Sequence, residues 1–298
     1  MFYHVPVLLS ETVQALVHNF SGIYVDATFG GGGHAQAILN RLTPEGKLIA
    51  FDQDKDVPFE KIPQTNFYFV HTNFANIGQI LSDLRITSVD GILADLGVSS
   101  YQIDTAARGF SFRFDAPLDM RMNQDQFLSA VEVVNTYPSE KLYSLFKLYG
   151  EVHNPKLLTE CIIQARKLSP IKTTFQLIKA IQKAAPKFNQ YGYYAQVFQA
   201  IRIEVNQELE NLKTFLYQSI ECLKSKGRLV VLTYHSLEDR IVKNIMRYGN
   251  ADGKPQKDTY GNLLRPLVPI QKPILPTESE IQANPRARSA KLRVAEKI

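Results

Sequence analysis

Cysteine is scarce in this sequence of 298 residues, which has only Cys161 and Cys222, far apart and in no CxxC pair. A disulfide framework and a thiolate zinc site are therefore excluded, and we expect both side chains to be buried as small apolar groups. The sequence also lacks a basic start followed by an apolar run and a cleavage site, and any apolar stretch near the ~20 residues that span a bilayer. We therefore expect a soluble, cytoplasmic protein.

Basic residues are concentrated in two segments, although the net charge is only +5. Residues 155–187 contain seven basic side chains against Glu160 alone, and residues 284–298 contain five against Glu296 alone. Such segments favour a polyanionic partner such as nucleic acid. Alternatively, the two basic segments are simply solvent-exposed surfaces that bind no partner.

Apolar runs and helical patterns alternate along the first 95 residues. Strands are predicted at 23–25, 47–51, 66–70 and 89–94, with helices at 35–42 and 75–84, and this order predicts a parallel sheet. Four helical segments follow (128–134, 139–149, 156–167 and 174–184), then one long helix at 195–223 and a buried strand at 227–232. The fold class is therefore α/β, with residues 1–112 and 190–298 predicted as one domain and 113–189 as a helical insertion that carries the first basic segment and is the candidate nucleic-acid-binding domain. Residues 251–276 are rich in Pro, Gly and Lys and are expected to have little order.

The stretch DATFGGGGHA places four consecutive glycines, Gly30 to Gly33, directly after the first strand. Glycine allows a loop to approach a ligand at the carboxyl edge of a parallel sheet. Asp52 ends the second strand, where a carboxylate can bind ribose hydroxyls. This pattern does not decide between NAD and S-adenosylmethionine, and a turn that binds nothing is the alternative. A P-loop is excluded because no Gly-Lys-Ser/Thr follows, and a calcium loop at Asp52 to Asp56 because its Gly and Glu are missing.

Several longer motifs resemble those of one family, the bacterial small-subunit (16S) ribosomal RNA cytosine-N4 methyltransferases. The resemblance covers nearly the whole chain in family order. The motifs are HVPVLLSE (4–11), DATFGGGGH (26–34), DLGVSSYQID (95–104), RGFSF (108–112), PLDMRM (117–122), FQAIRIEVNQEL (198–209), HSLEDRIVK (235–243) and NPRARSAKLR (284–293).

The resemblance implies a Rossmann-like class I methyltransferase that uses S-adenosylmethionine and has a helical insertion in its sheet domain. It implies a function in rRNA processing: methylation of the exocyclic N4 of a cytidine in the decoding region of 16S rRNA, within the small ribosomal subunit. The residues it assigns to the cofactor are Gly32, Gly33, His34, Asp52, Phe74, Asp95 and Gln102.

Cytosine N4 is a poor nucleophile, because its lone pair is delocalised into the ring. The enzyme must align it with the methyl group and accept hydrogen bonds from its protons. The candidate acceptors are Asp95, Ser99, Ser100 and Asp119, although the two serines could simply cap a turn. No metal is expected, because His4, His34 and His235 lack ligand spacing. His235, Glu238 and Asp239 could be catalytic or could mark the start of a helix. The structural interpretation is favoured, with Asp239 paired to Arg240 or Lys243.

Basic side chains are the candidates for RNA contacts. Arg108, Arg286 and Arg288 are expected to hold phosphates, because guanidinium makes bidentate contacts, and Lys172, Lys179 and Lys183 to contact ribosomal RNA. The family's His-Pro-Ala-Thr-Arg run is replaced here by residues 193–197, and Asn123 replaces an acid. Tyr191, Tyr193 and Tyr194 could stack on unpaired bases or be buried.

Two other functions remain open at this stage. One is a methyltransferase or dehydrogenase acting on a small molecule, against which the basic segments argue. The other is an RNA-binding assembly factor with a vestigial cofactor site, against which Gly32, Gly33, Asp52 and Asp95 argue. The sequence does not indicate an oligomeric state.

Overall fold

The computed structural model describes residues 6–298, and they form two compact units. The sheet unit comprises residues 6–97 and Leu209–Ile298, and the helical unit comprises Val98–Glu208. The sequence placed the division after residues 112 and 189, and that functional division stays a prediction. The compact units divide differently because Phe110, Phe112 and Phe198 pack into the core of the helical unit.

The sheet unit is built on seven strands in the order β3-β2-β1-β4-β5-β7-β6. The first five strands along the chain are parallel, whereas β7 runs antiparallel to both β5 and β6. The sheet is therefore mostly parallel, as the alternation of strands and helices predicts. The bounds are β1 (Ile23–Asp26), β2 (Lys47–Asp52), β3 (Phe67–His71), β4 (Val89–Asp95), β5 (Leu223–Thr233), β6 (Leu267–Pro269) and β7 (Lys291–Lys297).

Twelve α-helices are described between residues 6 and 298. The sheet unit carries five of them entirely: α1 (Leu9–Leu16), α2 (Gly33–Leu39), α3 (Ile77–Asp83), α11 (Ser236–Tyr248) and α12 (Glu278–Ala283). The helical unit carries α4 (Ser100–Asp104), α5 (Ala130–Thr136), α6 (Ser139–Leu148), α7 (Pro155–Leu168), α8 (Thr174–Ile181) and α9 (Gln190–Asn206), and α10 (Glu208–Cys222) begins at its last residue. No helix within the described residues combines the length and the apolar character needed to cross a bilayer.

The chain order places the carboxyl ends of β1 and β4 at a switch point of the sheet. From β1 the chain crosses to β2 on one side, whereas β4 pairs with β1 on the other. In open parallel sheets the ligand crevice forms at such a point, beyond the strand ends. The residues that end β1, β2 and β4 are therefore the first place to look for a binding site.

The prediction of a single long helix at 195–223 is wrong, because the helix is interrupted at Gln207. Gln207 lies in the left-handed region with φ 49°, which ends α9 before α10 begins. Arg202 spans the break and donates from Nε and from its terminal nitrogen to Glu208, at 2.8 and 2.9 Å. This bidentate pair holds the corner in place of continuous helical hydrogen bonds.

Residues 251–276 have more order than the sequence predicted. Asp258 Oδ1 accepts from the backbone N–H groups of Tyr260 and Asn262, both at 2.9 Å, which closes a turn. Lys257 and Leu263 form an antiparallel bridge beside this turn. The short strand β6 follows in the same stretch, so side-chain hydrogen bonds and strand pairing give order to a sequence rich in Pro, Gly and Lys.

The burial of the cysteines and of three tyrosines can also be compared with the expectations from sequence. Cys161 and Cys222 are half-buried rather than buried, and partial burial raises the pKa of both thiols. Burial is confirmed for Tyr193 and Tyr194. Tyr191 stays 78% exposed.

Gly109 offers a test of backbone strain, because its φ is +69° and an added Cβ would lie 2.3 Å from the carbonyl oxygen of Pro117. Gly261 is a matched control, with φ +87° and no atom of the described residues within 4 Å of an added Cβ. An alanine with positive φ lowers the free energy of unfolding by about 1–2 kcal/mol at either site. At Gly109 the overlap with the backbone of Pro117 lowers it by about a further 1–3 kcal/mol. We expect Gly109→Ala to lower the free energy of unfolding by about 2 kcal/mol more than Gly261→Ala, as measured by urea denaturation. Equal costs would contradict the contact with Pro117.

Candidate active site

Three aspartates end three neighbouring strands: Asp26 ends β1, Asp52 ends β2 and Asp95 ends β4. Asp26 is completely buried, and burial, reinforced by the charges of Asp95 and Asp52, raises its pKa well above the ordinary value. Its Oδ1 accepts from the backbone N–H of Thr28 at 3.2 Å, whereas Oδ2 accepts no hydrogen bond from any residue in 6–298. This edge of the sheet therefore holds closely spaced acids with unused hydrogen-bonding capacity.

Asp52 ties the glycine loop to the second strand. Its Oδ2 accepts from the Gly30 N–H at 2.8 Å, and its Oδ1 accepts from the Asp54 N–H at 2.9 Å. The backbone of Gln53 also hydrogen-bonds this carboxylate, and burial outweighs these bonds and raises its pKa to about 6. A carboxylate has about four lone-pair positions, so acceptor capacity remains for a hydroxyl group of a ligand.

The four glycines answer different steric demands. Gly30 and Gly32 have φ of 51° and 79°, and Gly32 is the N-cap of α2. An added Cβ on Gly33 would lie 2.3 Å from Cγ of Pro6, whereas Gly31 has no atom of residues 6–298 within 4 Å of its added Cβ. The loop thus needs glycine for backbone conformation at two positions and for close packing at one, and it is open at Gly31.

Asp95 is held by three neighbours in the sheet unit. The Tyr234 hydroxyl donates to its Oδ1 at 2.6 Å, its backbone N–H donates to Oγ1 of Thr28 at 2.6 Å, and His34 Nδ1 lies 3.6 Å from its Oδ2. Burial, followed by the adjacent Asp95 charge, raises the pKa of Tyr234 well above its ordinary value. The hydroxyl therefore stays protonated and acts as a donor to the carboxylate.

His34 is buried beside this carboxylate. Its Nε2 lies 3.3 Å from the carbonyl oxygen of Val7. Burial lowers the pKa of the ring, although the charge of Asp95 opposes this shift. His34 therefore links the segment before α1 to Asp95 without adding a permanent charge.

Sequence reasoning missed Asp26 and Tyr234 as members of this site. Asp26 opens the glycine motif and Tyr234 stands directly before HSLEDRIVK, at the end of β5. For both residues, the signal in the sequence is the position at the end of a predicted strand. The same position identified Asp52 and Asp95 as candidate site residues.

Phe74 lies in a short 3-10 turn after β3 and is half-buried. Its ring meets the edge of Phe215 with centroids 5.0 Å apart. The N–H of Thr72 donates to the carbonyl of Asp52 at 2.8 Å, so this turn starts beside the end of β2. An adenine contact at Phe74 stays a prediction.

Ser99, Ser100 and Gln102 begin α4 in the helical unit. The Ser99 hydroxyl accepts from the Gln102 N–H at 3.2 Å, and the Gln102 side-chain oxygen accepts from the Ser99 N–H at 3.0 Å. This reciprocal capping box supports the structural interpretation of Ser99. Ser100 is the first helical residue and is half-buried.

Asp119 forms a bidentate ion pair with Arg121 in the helical unit. Arg121 Nε donates to Oδ1 at 2.9 Å and its terminal nitrogen donates to Oδ2 at 2.7 Å. The Asp119 carboxylate raises the pKa of the guanidinium. Both oxygens are therefore engaged, and any acceptor role for Asp119 has to be shared with Arg121.

Arg108 does not present its charge to solvent. The side chain is 6% exposed, and its guanidinium donates to the carbonyls of Arg121 and Met122 at 2.8 and 3.2 Å. This burial disagrees with the phosphate contact expected from sequence, because a phosphate needs an accessible guanidinium. Arg108 instead holds the last two residues of the PLDMRM motif.

The other predicted RNA contacts lie on surfaces of their own units. Lys172, Lys179 and Lys183 are exposed around α8 in the helical unit. Arg286 is half-buried and Arg288 exposed in the 3-10 turn Pro285–Ser289 of the sheet unit.

The start of α11 supports the structural interpretation of its charged residues. Tyr234 donates its N–H to Oε2 of Glu238 at 3.0 Å, and His235 Nε2 lies 3.1 Å from Oε1 of the same carboxylate. Asp239 pairs with Arg293 of β7 at 2.7 Å and Lys291 at 3.4 Å, rather than with Arg240 or Lys243. His4 lies outside the described residues.

A family model and named relatives match the chain over nearly its full length. The model of the MraW methylase family matches residues 1–298. The chain is 52% identical over 298 residues to a protein of Flavobacterium johnsoniae named ribosomal RNA small subunit methyltransferase H, covering 100% of this chain and 99% of that one. A protein of the same name from Amoebophilus asiaticus is 52% identical over 300 residues, covering 99% and 96%. A solved structure of NSun6 from Pyrococcus horikoshii is 14% identical, with a TM-score of 0.43, covering 98% of this chain and 52% of that one.

Two neighbouring glycines make a matched test of the loop. We expect Gly33→Ala to lower the melting temperature and weaken S-adenosylmethionine binding, because its Cβ would overlap the ring of Pro6 and force the glycine loop and Pro6 apart. Gly31→Ala enters open space, so its melting temperature should stay that of the parent protein. Thermal unfolding and calorimetric titration measure the two effects. Equal melting temperatures for the two variants would contradict the packing at Pro6.

Proposed function

The chain belongs to the MraW methylase family, and on that basis we propose that it methylates the exocyclic N4 of a cytidine in the decoding region of 16S rRNA. It is a methyltransferase of small-subunit ribosomal RNA, and S-adenosylmethionine is its cofactor. The position in the decoding region rests on the resemblance of motifs such as DLGVSSYQID and HSLEDRIVK. The small ribosomal subunit is the proposed partner.

One observation carries the assignment of the site: Asp26, Asp52 and Asp95 meet beside the glycine loop at the switch point of the sheet. These residues fit a ligand that carries a ribose diol, an ammonium and a sulfonium. Asp52 has remaining acceptor capacity, Oδ2 of Asp26 has no hydrogen-bond partner among residues 6–298, and Gly31 faces open space. A cation near these acids also offsets their mutual repulsion.

Each of these residues has a proposed task in binding. Asp52 accepts from the ribose hydroxyls, and the loop at Gly32 and Gly33 lets the backbone approach the ligand. Asp95 accepts from the ammonium group, while Tyr234 and Thr28 hold its orientation. His34 packs behind Asp95, and Phe74 and Gln102 stay proposed contacts to the adenine and the methionine end.

When bound, the cofactor supplies an electrophilic methyl group on its sulfonium. The protein has to align N4 with that group and accept hydrogen bonds from the amino protons. We assign this to Asp95 first, with Ser100 and Ser99 as further acceptors. Asp119 ranks below them, because Arg121 occupies both of its oxygens. A strong base is unnecessary, since the amino proton becomes acidic as the N–C bond forms.

Exposed cations are proposed to hold the RNA backbone. Lys172, Lys179 and Lys183 on the helical unit and Arg288 on the sheet unit are accessible to phosphates. Phosphate contacts release counterions, so binding should weaken as salt is raised. Arg108 is left out of this set, because its guanidinium is buried against backbone carbonyls.

The function is tested with methyl-labelled S-adenosylmethionine and small subunits from cells that lack the modification. We expect label in N4-methylcytidine, identified by the mass of the nucleoside and located by fragment mapping. Asp95→Asn keeps the shape of the side chain but removes its charge, and it should lower the single-turnover rate at least about tenfold. Asp83→Asn, an exposed change on α3, should leave the rate unaltered. Label in a different nucleoside, or binding of S-adenosylmethionine without any transfer, would refute the proposal.

The raised pKa of Asp52 predicts a pH dependence. Protonation below its pKa of about 6 removes acceptor capacity, so S-adenosylmethionine binding should weaken by up to about tenfold per pH unit below that value. The effect on protein stability has the opposite sign. The folded protein binds the Asp52 proton more tightly than the unfolded chain does, so the contribution of Asp52 to stability falls as the pH rises from the ordinary pKa of an aspartate to about 6.

The control variants separate Asp52 from its neighbours. Asp52→Asn should bind weakly at every pH and lose the titration near 6. Asp56→Asn, which alters an exposed carboxyl in the same loop, should retain it. Calorimetric titrations between pH 5 and 8 measure both, and an unchanged titration in Asp52→Asn would show that another group is responsible.

A further inference from the structure

Two amide side chains of the sheet unit join the carboxyl ends of β2 and β3, and the proposed reaction assigns neither of them a role. Asn73, which follows β3, donates from Nδ2 to the side-chain oxygen of Gln53, which follows β2, at 2.8 Å. In sequence, Gln53 is next to Asp52 and Asn73 is next to Phe74. This amide bridge therefore connects the residues proposed for the ribose and the adenine of the cofactor.

The carboxyl end of β3 is supported by a single neighbouring strand. Within residues 6–298, β3 pairs with β2 alone and forms one edge of the sheet. The last strand pair joins Asp52 to His71, and the N–H of Thr72 then donates to the carbonyl of Asp52 at 2.8 Å. His71 Nε2 also lies 3.1 Å from the carbonyl oxygen of Gln53. The amide bridge comes after these contacts, and it continues the connection between the strands up to the turn that carries Phe74.

Asn73 has a second role in closing this turn. Its Oδ1 accepts from the N–H of Ala75 at 2.9 Å, which caps the 3-10 turn Phe74–Asn76. The cap uses the oxygen of the amide, whereas the bridge uses its nitrogen. Serine is also a favourable capping residue, because its hydroxyl oxygen can accept the same hydrogen bond. A serine at position 73 would therefore keep the cap and lose the bridge.

Helix α10 also contacts the turn that carries Phe74. The ring of Phe215 in α10 is buried and meets the Phe74 ring edge-on, with centroids 5.0 Å apart. In the first turn of α3, the N–H of Gly78 donates to the side-chain oxygen of Gln218 at 2.8 Å. These contacts hold the turn against α10. The contacts to β2, in contrast, are those that relate Phe74 to Asp52.

We propose that Asn73 is a positioning residue for the cofactor. Through Gln53 it sets the position of Phe74 relative to Asp52, and with it the affinity for the adenosine half of S-adenosylmethionine. The backbone of Gln53 hydrogen-bonds the Asp52 carboxylate, so a shift of Gln53 reaches the proposed ribose acceptor directly. This inference rests on the proposed function, because it takes Asp52 and Phe74 as the contacts of ribose and adenine.

A residue that positions adenosine has a characteristic kinetic signature. Adenosine is common to S-adenosylmethionine and to the product S-adenosylhomocysteine, and it takes no part in the bond changes at the sulfonium. Contacts to it stabilise the ground state and the transition state equally, so their loss raises KM for the cofactor and leaves kcat unchanged. A merely structural role would instead reduce the fraction of folded enzyme, which lowers the apparent kcat.

The test compares two asparagines of the same turn. Asn73→Ser keeps the cap on Ala75 but is too short to reach Gln53. Asn76→Ser removes a different amide hydrogen bond, to Oγ1 of Thr72 at 3.0 Å. We expect Asn73→Ser to weaken binding of S-adenosylmethionine and S-adenosylhomocysteine about three- to tenfold in calorimetric titrations, because one side-chain hydrogen bond is lost. In methylation assays on small subunits, KM for the cofactor should rise by the same factor at unchanged kcat, and Asn76→Ser should match the parent protein.

A second variant tests the bridge from its other end. Gln53→Met keeps the length of the side chain but removes the amide oxygen, and it should weaken cofactor binding by the same factor as Asn73→Ser. Because both substitutions break one interaction, the double variant should bind no more weakly than either single variant. Melting temperatures of the ligand-free proteins establish that each variant is folded at the temperature of the titrations.

The outcomes distinguish this inference from the proposed function. Equal cofactor affinities for Asn73→Ser and Asn76→Ser would overturn the inference. Additive losses in the double variant, or a lower kcat at unchanged KM, would overturn it as well. If the parent protein binds S-adenosylmethionine but labels no RNA, the proposed function fails, while the titrations still decide whether Asn73 positions the cofactor.

Discussion

The site depends on the parallel register of β1, β2 and β4, which brings Asp26, Asp52 and Asp95 to one edge of the sheet. Burial raises the pKa of Asp26 well above its ordinary value, and the charges of Asp95 and Asp52 add to this shift. Burial also raises the pKa of Asp52 to about 6. A shift of one residue in any of these strands would turn its aspartate to the other face. The buried apolar strands therefore fix the positions of the acids.

The surrounding elements hold those acids in a defined arrangement. The hydroxyl of Tyr234, at the end of β5, fixes Asp95, and the N–H of Gly30 fixes Asp52. Pro6 packs on Gly33, and Glu280 of α12 accepts from the N–H of Leu8 at 2.7 Å, so both ends of the described chain support the glycine loop. Changes far from the loop in sequence can thus alter the position of the glycine loop.

The helical unit has a separate core and a different electrostatic character. Its buried side chains include Leu118, Phe146 and Tyr193, while its lysines lie on the surface. Arg108 and Asp119 show that not every charge in this unit is available to RNA, because backbone carbonyls and Arg121 already satisfy them. A charge count therefore predicts a polyanionic partner but does not identify the residues that touch it.

The sequence by itself determined the α/β class, the parallel strands, the glycine loop and the strand-end acids Asp52 and Asp95, since these depend on local periodicity and on motifs read in order. Only the tertiary structure decided that Gln207 breaks the long helix, that the basic tail supplies β7, and that Arg108 is buried. It also brought Tyr234 to Asp95, which lies 139 positions earlier in the chain. Such pairings depend on strand order and packing between distant segments, and local sequence carries almost no signal for them.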